Sequence, residues 1–273
     1  MASSKIRLPA VAGQFYSSSA TELKQQLEEA IDRKAIKINA IACILPHAGY
    51  MYSGSVAGQT VSCIDIKDKV ILLGPNHTGL GKPFSIMTEG SWKMPMGEVE
   101  IDSDLAKAIL KGCQHLDDDV TAHLHEHSLE VELPFLQYFK TDFKIVPIAL
   151  LSDDILVLKD IGRDISETIK SRKLKDSVLL VASSDMTHYE PEPQARKKDN
   201  AAIEAILELN EDKLINTISR LGVSMCGYAP VVTMLSAAKA LGATKAKLVK
   251  YQTSGDVTGD KSSVVGYAGI IIS

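Results

Sequence analysis

Three of the seven histidines occupy the same local setting. His47 lies in Pro46-His47-Ala48-Gly49-Tyr50, His77 in Gly74-Pro75-Asn76-His77-Thr78-Gly79, and His188 in Ser183-Ser184-Asp185-Met186-Thr187-His188-Tyr189. Each segment follows a short apolar run: Ala40–Leu45, Val70–Leu73 and Val178–Ala182. Imidazole is the commonest metal ligand and the usual acid/base group near neutral pH. One loop histidine is ordinarily a surface or hydrogen-bonding residue, whereas three at equivalent positions point to one cleft. Asp185 stands three residues before His188, so a turn or a first helical turn puts both on one side. Such a carboxylate can ligate a metal or orient an imidazole. It can also simply cap the next helix. Cys226, in Ser224-Met225-Cys226-Gly227-Tyr228-Ala229-Pro230, sits at an expected helix start, where backbone amides favour a thiolate. A thiolate is both a soft metal ligand and a nucleophile. The alternative fate, a small buried hydrophobe, suits Cys43, Cys63 and Cys113, which lie in or beside apolar runs. In His123-Leu124-His125-Glu126-His127-Ser128-Leu129-Glu130, the spacing sends His127 and Glu130 toward the cleft and leaves His123 and His125 in solvent.

The elements that would position these residues are legible from periodicity. Ser19 with Glu22 forms a capping-box pattern ahead of Leu23, Leu27 and Ile31. Further helices are expected over 53–63, from Asp102 to 111, over 129–139, where Pro134 should kink it or restrict it to its first turn, and over 155–169. Others follow over 193–209, over 212–221 and from Cys226 to before Gly242. Ile145–Leu150, Leu248–Thr253 and Val264–Ile272 add strands to the three named above. The central runs are continuously apolar, not alternating, which is the mark of strands buried on both faces. This predicts a three-layer α/β/α sandwich with a mixed, mostly parallel central sheet, in a single domain over residues 1–273. The last two strands are expected to pair antiparallel across the 255–262 loop. In open α/β sheets, ligands bind beyond the carboxyl ends of the strands, so the three histidine loops are expected on one edge.

Composition narrows the function. A net charge of −4 with Lys and Arg dispersed supplies no basic stripe for nucleic acid. No window resembles a membrane span, and Met1–Tyr16 lacks the apolar run of a signal peptide. Four cysteines without a CxxC pair suit a reduced, cytoplasmic setting with free thiols.

In their order along the chain, these segments resemble the Memo family, also called AmmeMemoRadiSam system protein B. The likeness begins with Arg7-Leu8-Pro9-Ala10-Val11-Ala12-Gly13-Gln14-Phe15-Tyr16. It continues through the His47 and His77 segments, Glu126-His127-Ser128-Leu129-Glu130, the Asp185–His188 segment and Cys226-Gly227. The resemblance implies a fold like that of class III extradiol dioxygenases, which hold Fe(II) with two histidines and a carboxylate. It implies His47, His77 and Cys226 as metal ligands and Asp185, His188 and Cys226 as catalytic groups. The metal would be iron or copper, with zinc a third candidate. Tyr50, His127 and Glu130 are assigned to the substrate cleft. The leading expectation is a redox-active metal protein acting on a small-molecule or peptide substrate. Two alternatives stand beside it: a metal-free hydrolase with Cys226 as nucleophile, and a non-catalytic module binding a ligand or phosphopeptide. No Arg cluster accompanies the cleft residues to favour phosphate capture. Self-association into a homo-oligomer is left open.

Overall fold

The computed structural model describes residues 6–273. Residues 1–5, part of the segment read for a signal peptide, lie outside the described residues. The main sheet runs, strand by strand, Ala246–Thr253, Val264–Ile272, Ala42–Leu45, Val178–Ser183, Lys69–Pro75, Lys144–Leu150, Phe84–Ile86, Asp117–Asp118. The short His188–Glu190 strand pairs onto the start of Val264–Ile272. The four strands in the middle are parallel, and antiparallel partners join both flanks. The sheet is therefore mixed with a parallel centre, as the apolar runs predicted.

Burial explains the composition of that centre. Every residue of Ala42–Leu45 and Val178–Ser183 is buried. Leu180, fully buried between helical layers, makes the point: truncation to Ala there costs about 2–5 kcal/mol. Against the parallel strands lies the Tyr228–Ala240 helix, itself covered by Ile155–Ser171. That double cover accounts for its nine buried residues and the absence of a polar stripe. The Tyr50–Ser62 helix packs on Ala42–Leu45 and the two C-terminal strands, with Ala20–Ala30 and Leu133–Phe139 against it. Helical layers on both sides of the sheet make the sandwich. Local signals hold where chemistry fixes them: Ser19 accepts from the Glu22 amide and Asp102 from the Leu105 amide at their helix starts.

Three local expectations change. The 129–139 helix is a 3₁₀ turn over Glu130–Glu132 followed by an α-helix over Leu133–Phe139, with Pro134 in its first turn. Pro has no N–H to lose there, so it begins the α-helical part and does not kink it. The loop between the last two strands contains a helical turn, Ser254–Thr258, capped by Thr253 and Asp256. A small second sheet of Ile6–Arg7, Ser91–Met94 and Gly97–Glu100 is an addition. Its strands are too short for a periodicity to stand out.

Candidate metal centre

The three histidine loops leave neighbouring strands. Val178–Ser183 lies between Ala42–Leu45 and Lys69–Pro75, with Leu45 level with Ser183 and Leu73 level with Ala182. The loops thus emerge side by side at the carboxyl edge. Asp185 stitches two of them together: its Oδ1 accepts the His47 backbone N–H at 2.8 Å. It therefore does not act as a simple cap of the following helix.

Cys226 reaches this edge from the other side. A Cβ at Gly227 would sit 2.2 Å from the Ser183 carbonyl oxygen and 2.5 Å from Ser184 Cβ. Only glycine lets the start of the Tyr228–Ala240 helix press against the strand end, and Ser184 Oγ accepts the Gly227 N–H at 3.0 Å. Cys226 Sγ consequently lies 3.2 Å from His47 Nε2 and accepts the Asp185 N–H at 3.3 Å.

His77 is held by a separate device. A Cβ at Gly74 would meet the Leu129 side chain at 2.6 Å and Ser128 Oγ at 2.7 Å, so glycine admits the 126–130 segment across the strand end. Glu126 from that segment accepts both the His77 backbone N–H, at 2.5 Å, and His77 Nδ1, at 2.9 Å. Its Oε1 also accepts the Ser128 N–H. These bonds occupy the carboxylate and leave His77 Nε2 as the nitrogen with a free lone pair. Glu126 thus orients His77 in the way that carboxylates orient histidines that ligate metals.

One ligand atom each from His47, His77 and Cys226 lies within 4.8 Å of the others. Two imidazoles and a sulfur so gathered, with carboxylates behind them, match the donor set of a first-row transition metal. His77, Glu126 and His127 form a second such group sharing His77. The bonds already made by Glu126 suit it to support more than to ligation.

Burial governs the charges. It pushes Asp185 up to about 7, against the pull of the His47 and Ala48 amides and of His77. It holds His47 well below the ordinary imidazole range, helped by the neighbouring His77, His127 and His188. It also raises Cys226, with the Asp185 charge adding to the effect. The sequence-based expectation of a thiolate is corrected for the metal-free chain. Cys226 precedes the helix by two residues, and loss of water outweighs the amides. A cation against Sγ reverses that preference by replacing the thiol proton. Glu126 behaves opposite to Asp185: burial opposes ionisation, but its bonds to His77 bring it down to about 2.

A cavity of about 730 Å³ opens over these residues, walled by Phe15, Tyr52, Tyr189 and Tyr267. His47, His77, His127, Asp185 and His188 all line it, and none of its described lining residues is Lys or Arg. His188 Nδ1 lies 2.8 Å from the Met186 carbonyl and 2.9 Å from that of Ser224. Two acceptors there require the proton on Nδ1, which leaves Nε2 bare. His127 stacks on His77 with ring centroids 4.8 Å apart and meets His47 edge-on at 5.5 Å.

Two residues assigned to the cleft are elsewhere. Glu130 is fully buried, paired with Arg7 at 2.5 Å, and accepts from the Ala10 and Val11 amides and the Tyr16 hydroxyl. The 3₁₀ turn rotates it away from His127 and onto the N-terminal segment. Tyr50 turns its hydroxyl to the Val131 carbonyl at 2.7 Å and packs on Phe135, and it does not line the cavity. His123, expected in solvent, is fully buried beside Trp92, and Arg7 Nε donates to its carbonyl. His125 is exposed as expected. Sequence reasoning missed the duties of Glu126, Ser128, Ser183 and Ser224, although all four lie within the segments singled out for His127, Asp185 and Cys226.

The profile of the Memo-like protein family matches residues 7–271. The chain belongs to that family. It is 46% identical over 269 residues to a MEMO1 family protein of Aquifex aeolicus, covering 98% of this chain and 99% of that one. It is 43% identical over 279 residues to a MEMO1 family protein of Methanopyrus kandleri, covering 97% and 98%. Among solved structures, the uncharacterized protein JW3007 from Escherichia coli K12 superposes with a TM-score of 0.52 at 14% identity, over 84% of this chain and 98% of that one. That likeness concerns the fold.

Proposed function

We propose that this Memo-like protein binds a redox-active transition metal, iron or copper, through His47, His77 and Cys226, and uses it on a substrate held in the adjoining cavity. The observation that carries the reading is the convergence of three ligand atoms within 4.8 Å from segments as far apart as residues 47 and 226. When bound, such an ion supplies a one-electron couple and open coordination positions.

The chain's own residues prepare the rest. Glu126 turns His77 so that Nε2 faces the site. Cys226 gives up its thiol proton to become a ligand. The nitrogen in reach of that proton is His47 Nε2, 3.2 Å from Sγ; Asp185 Oδ2 lies 4.0 Å from that nitrogen, and its elevated affinity for protons suits it to receive the proton next. His188 faces the cavity with a bare Nε2 and acts as base toward a bound substrate. The aromatic walls exclude water from one side of that substrate and bury its apolar part.

Metal-free nucleophilic catalysis by Cys226 fits less well, because burial keeps its sulfur protonated. The test is elemental analysis of protein purified without oxygen, with electron paramagnetic resonance after stepwise oxidation. Near-stoichiometric iron or copper, lost in a His47→Ala variant, is the expected result. Protein that holds no metal under any loading condition would falsify the proposal.

A further inference from the structure

Behind His47 lies a fully buried acid with no part in the scheme above. Glu132 is 0% exposed, and its Oε2 has no hydrogen-bond partner. Its Oε1 lies 2.9 Å from Ser183 Oγ. The same hydroxyl is 2.8 Å from the Ser128 carbonyl and 2.8 Å from His47 Nδ1.

A serine hydroxyl has one proton to give and two lone pairs to receive with. The Ser128 carbonyl can only accept, so the Ser183 proton goes there. Both remaining positions on Ser183 Oγ then call for donors. His47 must present Nδ1–H, and Glu132 must present a carboxylic O–H. The opposite assignment, an ionised Glu132, would leave a bare carboxylate oxygen in a dry interior, which is far costlier. On the other side of the ring, Cys226 Sγ faces Nε2 at 3.2 Å, where a thiol proton meets a bare nitrogen.

We propose that Glu132 is a positioning residue: as a neutral acid it donates to Ser183 and thereby fixes His47 with Nδ1 protonated and Nε2 aimed at the site. The functional consequence rests on the reading of His47 as a ligand; the tautomer does not. Burial favours the neutral form of Glu132, and the nearby Asp185 charge adds to that preference.

Two measurements test it. In metal-free protein labelled with ¹⁵N-histidine, His47, assigned by the signal missing from His47→Ala, should show a bare Nε2 and a protonated Nδ1. The opposite tautomer overturns the proposal. Cobalt(II) titration then reads the consequence. Glu132→Gln keeps an N–H donor in place and should bind within about threefold of the parent, whereas Glu132→Met should bind about 10–100-fold more weakly. Equal affinity for Glu132→Met and parent overturns the proposal, as does a Glu132→Gln variant as weak as Glu132→Met. Should Glu132→Met not fold, Ser183→Ala breaks the same chain and carries the same expectation and the same overturning result. If the parent binds no cobalt, iron or copper, the proposed function falls, and the labelling experiment alone decides the role of Glu132.

Discussion

The two candidate histidine ligands are held by opposite electrostatic means. On the His47 side, the imidazole is 3% exposed and leans on Ser183, with neutral Glu132 behind it. On the His77 side, the imidazole is 32% exposed and leans directly on Glu126, an ionised carboxylate. Both devices put a proton on Nδ1 and free Nε2. The difference follows the donors around each carboxyl group, since both acids are buried. Three N–H donors make a charge on Glu126 tolerable. Glu132 has no such set, and a charge without full pairing is prohibitive there, so a hydroxyl and an un-ionised acid do the same orienting. One site thus contains two carboxyl groups of the same residue type in different protonation states, set by what surrounds each.

The largest expected effect removes the comparison altogether. His47→Ala, His77→Ala or Cys226→Ala should each cost roughly 3–4 kcal/mol of metal binding, an even share of typical structural-zinc energies over four ligands. That corresponds to an affinity several hundredfold lower, read by competition with a chelator. A variant that keeps parental affinity is not missing a ligand.

Next comes pH. Asp185 has an ordinary value of 3.8 and is raised to about 7 in the fold. A raised value means that its stabilising contribution is complete below pH 3.8 and is lost as pH climbs through about 7. The loss is on the order of a few kcal/mol. Glu126 works in the opposite sense: brought from 4.5 to about 2, it supports the fold above pH 4.5 and fails as pH drops toward 2. His47, depressed by burial, also favours higher pH. Urea midpoints of metal-free parent and Asp185→Asn, compared from pH 4 to 8, isolate the Asp185 contribution, because the variant lacks its decline. Parallel curves would remove the claim that burial dominates at Asp185.

A smaller effect sharpens the contrast most directly. Glu126→Gln keeps the shape but surrenders the charge and one acceptor, and should weaken metal binding about 10–100-fold. The same change at Glu132 should be nearly silent. If the two amide variants behave alike in calorimetric titration, the two sides do not differ in charge.

The smallest effect serves as a control at the cavity rim. Tyr189 is 79% exposed and has a φ of 59°, a left-handed conformation that asparagine accepts more readily. Tyr189→Asn should raise stability by about 1 kcal/mol or less and shift the melting temperature by roughly 2–4 °C at most. Metal affinity should stay within about twofold of the parent's. A large loss of affinity would show that the rim, not the two supports, governs the site.

Much of this molecule can be read along the chain because its causes are short-ranged. Ser19 and Asp102 cap helices through bonds three residues away. The apolar runs at 40–45, 70–73 and 178–182 announce doubly covered strands, and the loops after them mark the chemical edge. What stayed hidden depends on contacts between distant segments. Glu126 meets His77 across 49 residues, Glu132 meets Ser183 across 51, and Cys226 meets His47 across 179. No local pattern distinguishes Glu130, which turns inward to Arg7, from Glu126, which turns to His77, since only three residues of irregular and turn backbone lie between them. Residue types therefore foretold that a metal could be held here. Strand order and packing decided which atoms converge and which charges survive, because desolvation is a property of the assembled interior and not of any stretch of chain.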